Sequence, residues 1–327
     1  MNSRIVYGPI LSRRLGRSLG IDVIKNTCSK KNCDYDCIYC QLGHAETKLK
    51  GPKDVVGGVS PREVVESLQN FQEKFESLDY ITFSGTCEPS LNLSLGEIIR
   101  EVKKLSKIPV CVITNSSLLG RPDVRENLAE ADLVLATLVS GREETWRKIH
   151  RPAPGIKFQE IIEGLRELAK RKQNPKLALE LMLLENADGS PLNSTDEEVQ
   201  TLIETVKYIA PAEIEVLSTS RPPAETYVVP VPEERLKIIA ERITAEFGKE
   251  KVKLVLKGLK KNRSKVSHQN LEEEVYALLL RRPCTFSQIG NALDVNSDRL
   301  NTVLEKLFLA GKIKKVSSSS EEYYKAS

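Results

Sequence analysis

Between residues 80 and 217 the chain repeats one local pattern, and that repetition restricts the fold more than any other feature. Short runs rich in β-branched and aliphatic residues, at 80–84, 110–114, 133–137, 177–184 and 213–217, alternate with longer stretches. In those stretches, at 62–75, 95–105, 158–171 and 196–208, apolar residues recur every three or four positions. A further run at 19–24 precedes them. Strands that alternate with amphipathic helices form βα units around a parallel sheet, because a parallel connection needs a crossover long enough to hold a helix. Six such units predict an α/β fold in which the sheet curves into a partial (β/α)6 barrel and does not close eight-fold. Reactive groups in such folds gather at the carboxyl ends of the strands.

Hydrophobic residues make up 40% of the 327, enough for a large core, and the net charge of +4 is too small to argue a nucleic-acid partner by itself. The amino-terminal twenty residues hold no apolar run like a signal-peptide core, and no later segment approaches a membrane-spanning length, so the expected location is cytoplasmic, with no membrane partner. Composition shifts after residue 256. Residues 251–270 carry seven Lys and Arg and no acidic residue, which reads as a final strand running into a basic linker. The expected division is a barrel over 1–256, a linker over 257–270 and a second unit over 271–327. That second unit shows three short helical patterns. Thr285 and Gln288 make a capping box, Leu300, Val303, Leu304 and Leu307 form a buried face, and Gly311 ends the third helix before a two-stranded segment. The pattern predicts a winged helix. Its acidic and basic residues balance, with Asp298 and Glu305 on the helix that would enter a groove, so a phosphate footprint is not expected from it alone.

Seven cysteines, four of them between Cys28 and Cys40, suit a metal or redox site better than a secreted disulfide framework. Cys33, Cys37 and Cys40 stand at C-x3-C-x2-C, a loop able to offer three thiolates to one four-iron, four-sulfur (4Fe-4S) cluster and leave its fourth iron open. S-adenosylmethionine can chelate an open iron through its amino and carboxylate groups. Cys28 as a fourth ligand would instead give a closed zinc or electron-transfer site. Two strand-end motifs favour the open cluster. FSGTCEPSL places Gly85 where backbone can approach a ligand, with Thr86 beside it and Glu88 able to accept from the cofactor's amino group, and ITNSS offers Asn115 and Ser116 to a carboxylate or ribose.

These residues resemble the radical S-adenosylmethionine superfamily. YGPILSRRLGRSLGID, CDYDCIYCQLG, FSGTCEPSL, RKIHRP and SRPPAE together resemble the bacterial and archaeal relatives of the wyosine-tRNA synthase (4-demethylwyosine synthase) family, over about residues 4–240. The resemblance implies Cys33, Cys37 and Cys40 as cluster ligands, Tyr39 beside the adenine of S-adenosyl-L-methionine and the Gly85–Glu88 stretch at its methionine end. It also implies reductive cleavage of that cofactor to a 5′-deoxyadenosyl radical, fed by an external one-electron donor such as a flavodoxin or ferredoxin. The chain departs from the family in three places. Cys87 replaces a frequent glycine and reads as a small hydrophobe, Val139 stands where an aspartate is usual, leaving Thr137 or Ser140 for the ribose, and further upstream cysteines for a second cluster are missing. The substrate is therefore open, with an RNA nucleoside or a peptide both in view. The competing class is an iron–sulfur redox sensor that binds nucleic acid through the winged helix.

Several charged side chains have two readings. Arg13, Arg14, Arg17, Lys25, Lys30 and Lys31 either meet an anionic substrate or are solvated. His150, Arg151 and Arg221 are expected near the barrel mouth, with Arg221 aimed at an anion or paired to Glu225. His44, just after Cys40, either moves a proton or does nothing. The tail carries none of the cluster thiols, so a chain ending near Leu256 is expected to keep the cofactor chemistry.

Overall fold

A computed structural model describes residues 5–24, 31–55, 58–69, 71–171, 173, 175–256, 270–318 and 321–327. In chain order the elements begin with β1 (Val6–Ser12), β2 (Gly16–Ile21), β3 (Lys31–Cys33), β4 (Ala45–Lys48), α1 (Pro61–Gln69) and β5 (Tyr80–Phe83). There follow α2 (Leu95–Leu105), β6 (Val110–Thr114), α3 (Pro122–Ala129), β7 (Leu133–Leu138), α4 (Glu143–His150), α5 (Phe158–Ala169) and β8 (Lys176–Asn186). The barrel portion ends with α6 (Asp196–Ile209), β9 (Glu213–Ser218), β10 (Val228–Pro230), α7 (Glu233–Phe247) and β11 (Val252–Val255).

The large sheet runs β1-β2-β5-β6-β7-β8-β9-β11, with every step parallel except the β1–β2 hairpin, and β10 joins β8 antiparallel. Its edges β1 and β11 do not pair among the described residues, so this is the expected incomplete barrel. The run foreseen at 19–24 lies earlier, as β2, and the stretch foreseen at 251 onward supplies β11. Strand β1 has no counterpart in the expected pattern. Its sequence, VYGPILS, contains a glycine and a proline, the residues that usually argue against a strand, but at a sheet edge neither interrupts a second ladder.

The tail forms α8 (Leu271–Arg281), α9 (Phe286–Leu293), α10 (Ser297–Leu309) and an antiparallel hairpin of β12 (Ile313–Ser318) and β13 (Glu321–Ala326). Thr285 and Gln288 make the reciprocal capping box, Asp294 turns the chain at φ 52°, and Asn296 caps α10 by accepting from the Arg299 amide at 2.9 Å. The residues of the basic linker, Lys257, Lys260, Lys261 and Arg263 among them, lie outside the described residues. The tail does not stand apart from the barrel. Tyr7 and Ile10 of β1 are buried in one cluster with Val275, Leu278, Ile289 and Leu304, so the edge that the sheet leaves open is covered by α8 and α9. No helix among the described residues is long and apolar enough to cross a membrane.

Candidate functional site

The carboxyl ends of β2, β5, β6, β7, β8 and β9 surround a cavity of about 380 Å³. Cys33, Cys37, Cys40, Tyr39, Gly85, Thr86, Glu88, Asn115 and Thr137 all line it. Residues as far apart in the chain as Cys33 and Thr137 are thus brought to one cavity.

The cysteine loop is held by backbone bonds to the end of α4. The Asp36 amide donates to the His150 carbonyl at 3.0 Å, the Ile38 amide to Ile149 at 3.0 Å, and the Ala153 amide donates to Asp34 at 2.8 Å. Asp34, fully buried, accepts from the Asn115 amide side chain at 2.9 Å and from the Ser117 hydroxyl, and Asn115 also lies 3.7 Å from the Cys33 sulfur. Asn115 therefore spends its amide on fixing the loop to the end of β6. His150 is buried behind the loop with Nδ1 3.1 Å from the Cys37 sulfur, and burial, then Lys31, push its pKa down to about 3, so the ring is neutral. Burial pushes the Cys37 thiol up to about 12 and Cys33 well above its ordinary value. Burial works against the charge on Lys31, yet the nearby Cys40, Cys37 and Cys33 sulfurs outweigh it and raise its pKa. Three thiols and a cation around one cavity suit an iron–sulfur cluster bound through three thiolates, and among the described residues no tight group of three or more His, Cys, Asp or Glu gathers on a single metal point. Cys28 lies outside the described residues.

Across the cavity, Glu88 accepts from the Ser90 amide at 3.1 Å, the Thr114 hydroxyl at 2.7 Å and the Asn115 amide at 2.6 Å, which ties the end of β5 to the end of β6. Burial, followed by the charge of Asp34, raises its pKa to about 7 against those donors. Thr86 donates through both its amide and its hydroxyl to Asp22 at 3.1 and 3.0 Å. A Cβ at position 85 would overlap the Asp22 carboxylate, so only glycine lets this turn close. Asp22 is in turn paired with Arg281 of α8 at 3.2 Å, with side chains 4% and 3% exposed. The tail thus braces the turn beside the cavity, contrary to the expectation that a chain ending at Leu256 would leave the cofactor site whole.

Other candidates fall elsewhere. Ser116 is 1% exposed at φ 69° and its hydroxyl donates to the Thr137 carbonyl at 2.9 Å, so it joins two strand ends and does not line the cavity. Ser140 gives its hydroxyl to Glu198 at 2.7 Å, while Thr137 borders the cavity 3.4 Å from Glu180, and Val139 is core. Cys87 is half-buried and lines the cavity. Arg14 is ion-paired with Glu180 and with Glu215 at 3.3 Å inside the barrel, and Arg17 is 8% exposed, so neither the anion reading nor the solvated one describes them. Arg151 takes Glu225 at 2.5 Å, which leaves Arg221 to donate to the Pro283 carbonyl at 3.1 Å and to Gln41 at 3.3 Å. His44 is on the surface, 3.3 Å from Asp36. Sequence reasoning did not anticipate Asp22, Asp34, Glu180, Arg281 or Arg282. No periodic signal marks a lone charged residue whose partner is far away in the chain.

A sheet of parallel strands with this helical exterior, and a three-cysteine loop facing polar strand ends, defines a radical enzyme that works on S-adenosylmethionine and an iron–sulfur cluster. The chain belongs to the radical SAM superfamily, whose family model matches residues 29–195. It is 30% identical over 322 residues to the UPF0026 protein of Methanocaldococcus jannaschii, covering 98% of this chain and 95% of that one. It is also 32% identical over 315 residues to a Brachyspira hyodysenteriae protein named GTPase Obg, covering 96% of this chain but only 44% of that protein, less than half its length. Among solved structures, Streptococcus suis SuiB bound to the precursor peptide SuiA is similar in fold, at 14% identity and a TM-score of 0.52 over 72% of this chain and 48% of that one. A redox sensor that binds nucleic acid needs only the cysteines and the carboxyl-terminal unit, and gives Glu88 and the Gly85–Thr86 turn no part beyond holding strand ends together.

Proposed function

We propose that Cys33, Cys37 and Cys40 hold a four-iron, four-sulfur cluster whose open iron takes S-adenosylmethionine, and that the enzyme modifies an RNA nucleoside. The observation that carries this reading is the convergence of the three cysteines with Gly85, Thr86 and Glu88 on one cavity. When bound, cluster and cofactor supply reductive cleavage to methionine and a 5′-deoxyadenosyl radical, using one electron from a donor such as a flavodoxin or ferredoxin. The chain's own residues orient and shield. Ionised Glu88 accepts from the cofactor's amino group, the Gly85–Thr86 turn allows backbone to approach its methionine end, and Tyr39 and Thr137 border the nucleoside end. Asp34 and Asn115 keep the cysteine loop in register with β6. The RNA choice is supported by the sequence likeness to relatives of wyosine-tRNA synthase. SuiB's precursor peptide makes a peptide the competing substrate.

The test is anaerobic reconstitution of the full chain followed by reduction with S-adenosylmethionine. The expected result is one oxygen-labile cluster per chain and formation of 5′-deoxyadenosine. Zinc as the sole metal, or a fully loaded cluster that cleaves nothing, refutes the enzyme reading. Anaerobic capture of bound RNA should enrich particular transcripts; enrichment of peptides alone replaces the substrate class.

A further inference from the structure

Among the described residues five arginines line the cavity: Arg13, Arg14, Arg221, Arg281 and Arg282. Two are neutralised, Arg14 by Glu180 and Glu215 and Arg281 by Asp22. The other three have no carboxylate partner among the described residues. Arg13, in the β1–β2 turn, donates to the Leu256 carbonyl at 3.0 Å and the Ser220 hydroxyl at 2.9 Å. Arg221, just past β9, donates among the described residues to the neutral Pro283 carbonyl and Gln41 oxygen. Arg282, just past α8, has its Nε buried with no hydrogen-bond acceptor.

Unpaired guanidinium groups gathered at a cavity are costly, because burial removes hydration and like charges repel. The repulsion is visible here. Burial, then Arg282 and Arg13, push Arg221 down to about 9, and burial, then Arg14 and Arg282, lower Arg13. The fold nevertheless keeps three such groups together, two from the barrel and one from the tail, at one cavity. A terminal phosphate monoester carries about two negative charges and three acceptor oxygens, and two successive diesters of an RNA strand carry the same charge between them, so either meets three forks where a single carboxylate would leave charge uncompensated. A second cavity of about 650 Å³ shares Arg13 and Arg221 with the first and opens between Pro222, Pro223 and the β12–β13 hairpin, which gives a polyanion a way in.

We propose that Arg13, Arg221 and Arg282 form a subsite for a phosphate group of the substrate, built where the barrel mouth meets the tail. This deepens the reading above, resting on it only in taking the cavity as the place where substrate and cofactor meet. It also gives the tail a task in recognition that does not depend on the helix face carrying Asp298 and Glu305.

Titration calorimetry of the anaerobically reconstituted full chain with pyrophosphate tests it. One site per chain is expected, unaffected by prior saturation with S-adenosylmethionine. Arg221→Gln and Arg282→Gln should each weaken it about 10-fold or more, the loss of a charge-assisted contact, and should flatten its salt dependence. Arg282→Lys, keeping the charge but not the fork, should fall between wild type and Arg282→Gln. Circular dichroism melts check that the variants fold; if Arg282→Gln does not, Arg221→Gln and the wild-type salt slope decide. No pyrophosphate binding, equal binding by the variants, citrate binding as tightly as pyrophosphate, or displacement by S-adenosylmethionine would each overturn the proposal. Cofactor cleavage measured on the same samples separates the two readings, since its absence with pyrophosphate binding intact refutes the enzyme reading alone.

Discussion

Replacing Arg281 by methionine should damage both stability and cofactor binding, although the residue lies in the tail. In the native protein its guanidinium is 3.2 Å from Asp22, both side chains are almost fully buried, and its carbon sits 5.0 Å above the Tyr7 ring. At an effective dielectric near 20, two unit charges at that distance attract by about 5 kcal/mol, and removal of one partner from a buried pair costs about 3–5 kcal/mol because the other charge stays buried. Asp22 keeps its bonds from Thr86 at 3.1 and 3.0 Å, so the strain of the orphaned carboxylate falls on the Gly85–Thr86 turn. Arg281→Met is therefore expected to lower the thermal midpoint by several degrees and to weaken S-adenosylmethionine binding to the reconstituted protein. Adding Asp22→Asn should restore most of the stability, since no charge is then left without a partner. Melting curves and equilibrium binding on the single and double variants check this. A single variant within about 0.5 kcal/mol of wild type, or a double variant in which the losses simply add, would refute it.

Three further outcomes are expected. Cys37→Ala should lose iron and cofactor cleavage while Cys28→Ala keeps both; equal iron loss would favour four-cysteine ligation. Glu88 has its pKa raised from 4.5 to about 7. The native state therefore holds a proton that the unfolded chain has released, a contribution to stability that is lost as pH rises through about 7. In the proposed role of Glu88 the ionised form is the acceptor for the cofactor's amino group, so S-adenosylmethionine affinity should rise with pH up to about 7 in wild type, and Glu88→Gln should lack that component in binding titrations from pH 5.5 to 8.5. Ser116→Ala should cost about 1 kcal/mol in denaturant unfolding and leave cofactor affinity within about twofold, because its hydroxyl serves the Thr137 carbonyl.

The order of parallel strands, the three-cysteine loop and the strand-end position of Gly85 and Glu88 were legible in the sequence. Each is written locally, in a periodicity of two or 3.6 residues or in a motif a few residues long. The capping box at Thr285 and Gln288 was legible for the same reason. Tertiary structure decided which way side chains at those strand ends turn. Asn115 and Ser116 are neighbours, yet a backbone at φ 69° sends the Ser116 hydroxyl behind β7 while Asn115 reaches the cysteine loop. It also decided the fate of the arginines. Arg14 finds Glu180 166 positions away and Arg281 finds Asp22 259 positions away, while Arg13, Arg221 and Arg282 line one cavity with no carboxylate paired to them among the described residues. A charge pairs with whatever the fold brings within a few ångströms, and chain position carries no record of that partner. The sequence thus writes the cysteine loop and the strand-end motifs, and only the packed molecule shows that the tail braces the Gly85–Thr86 turn beside the cavity they line.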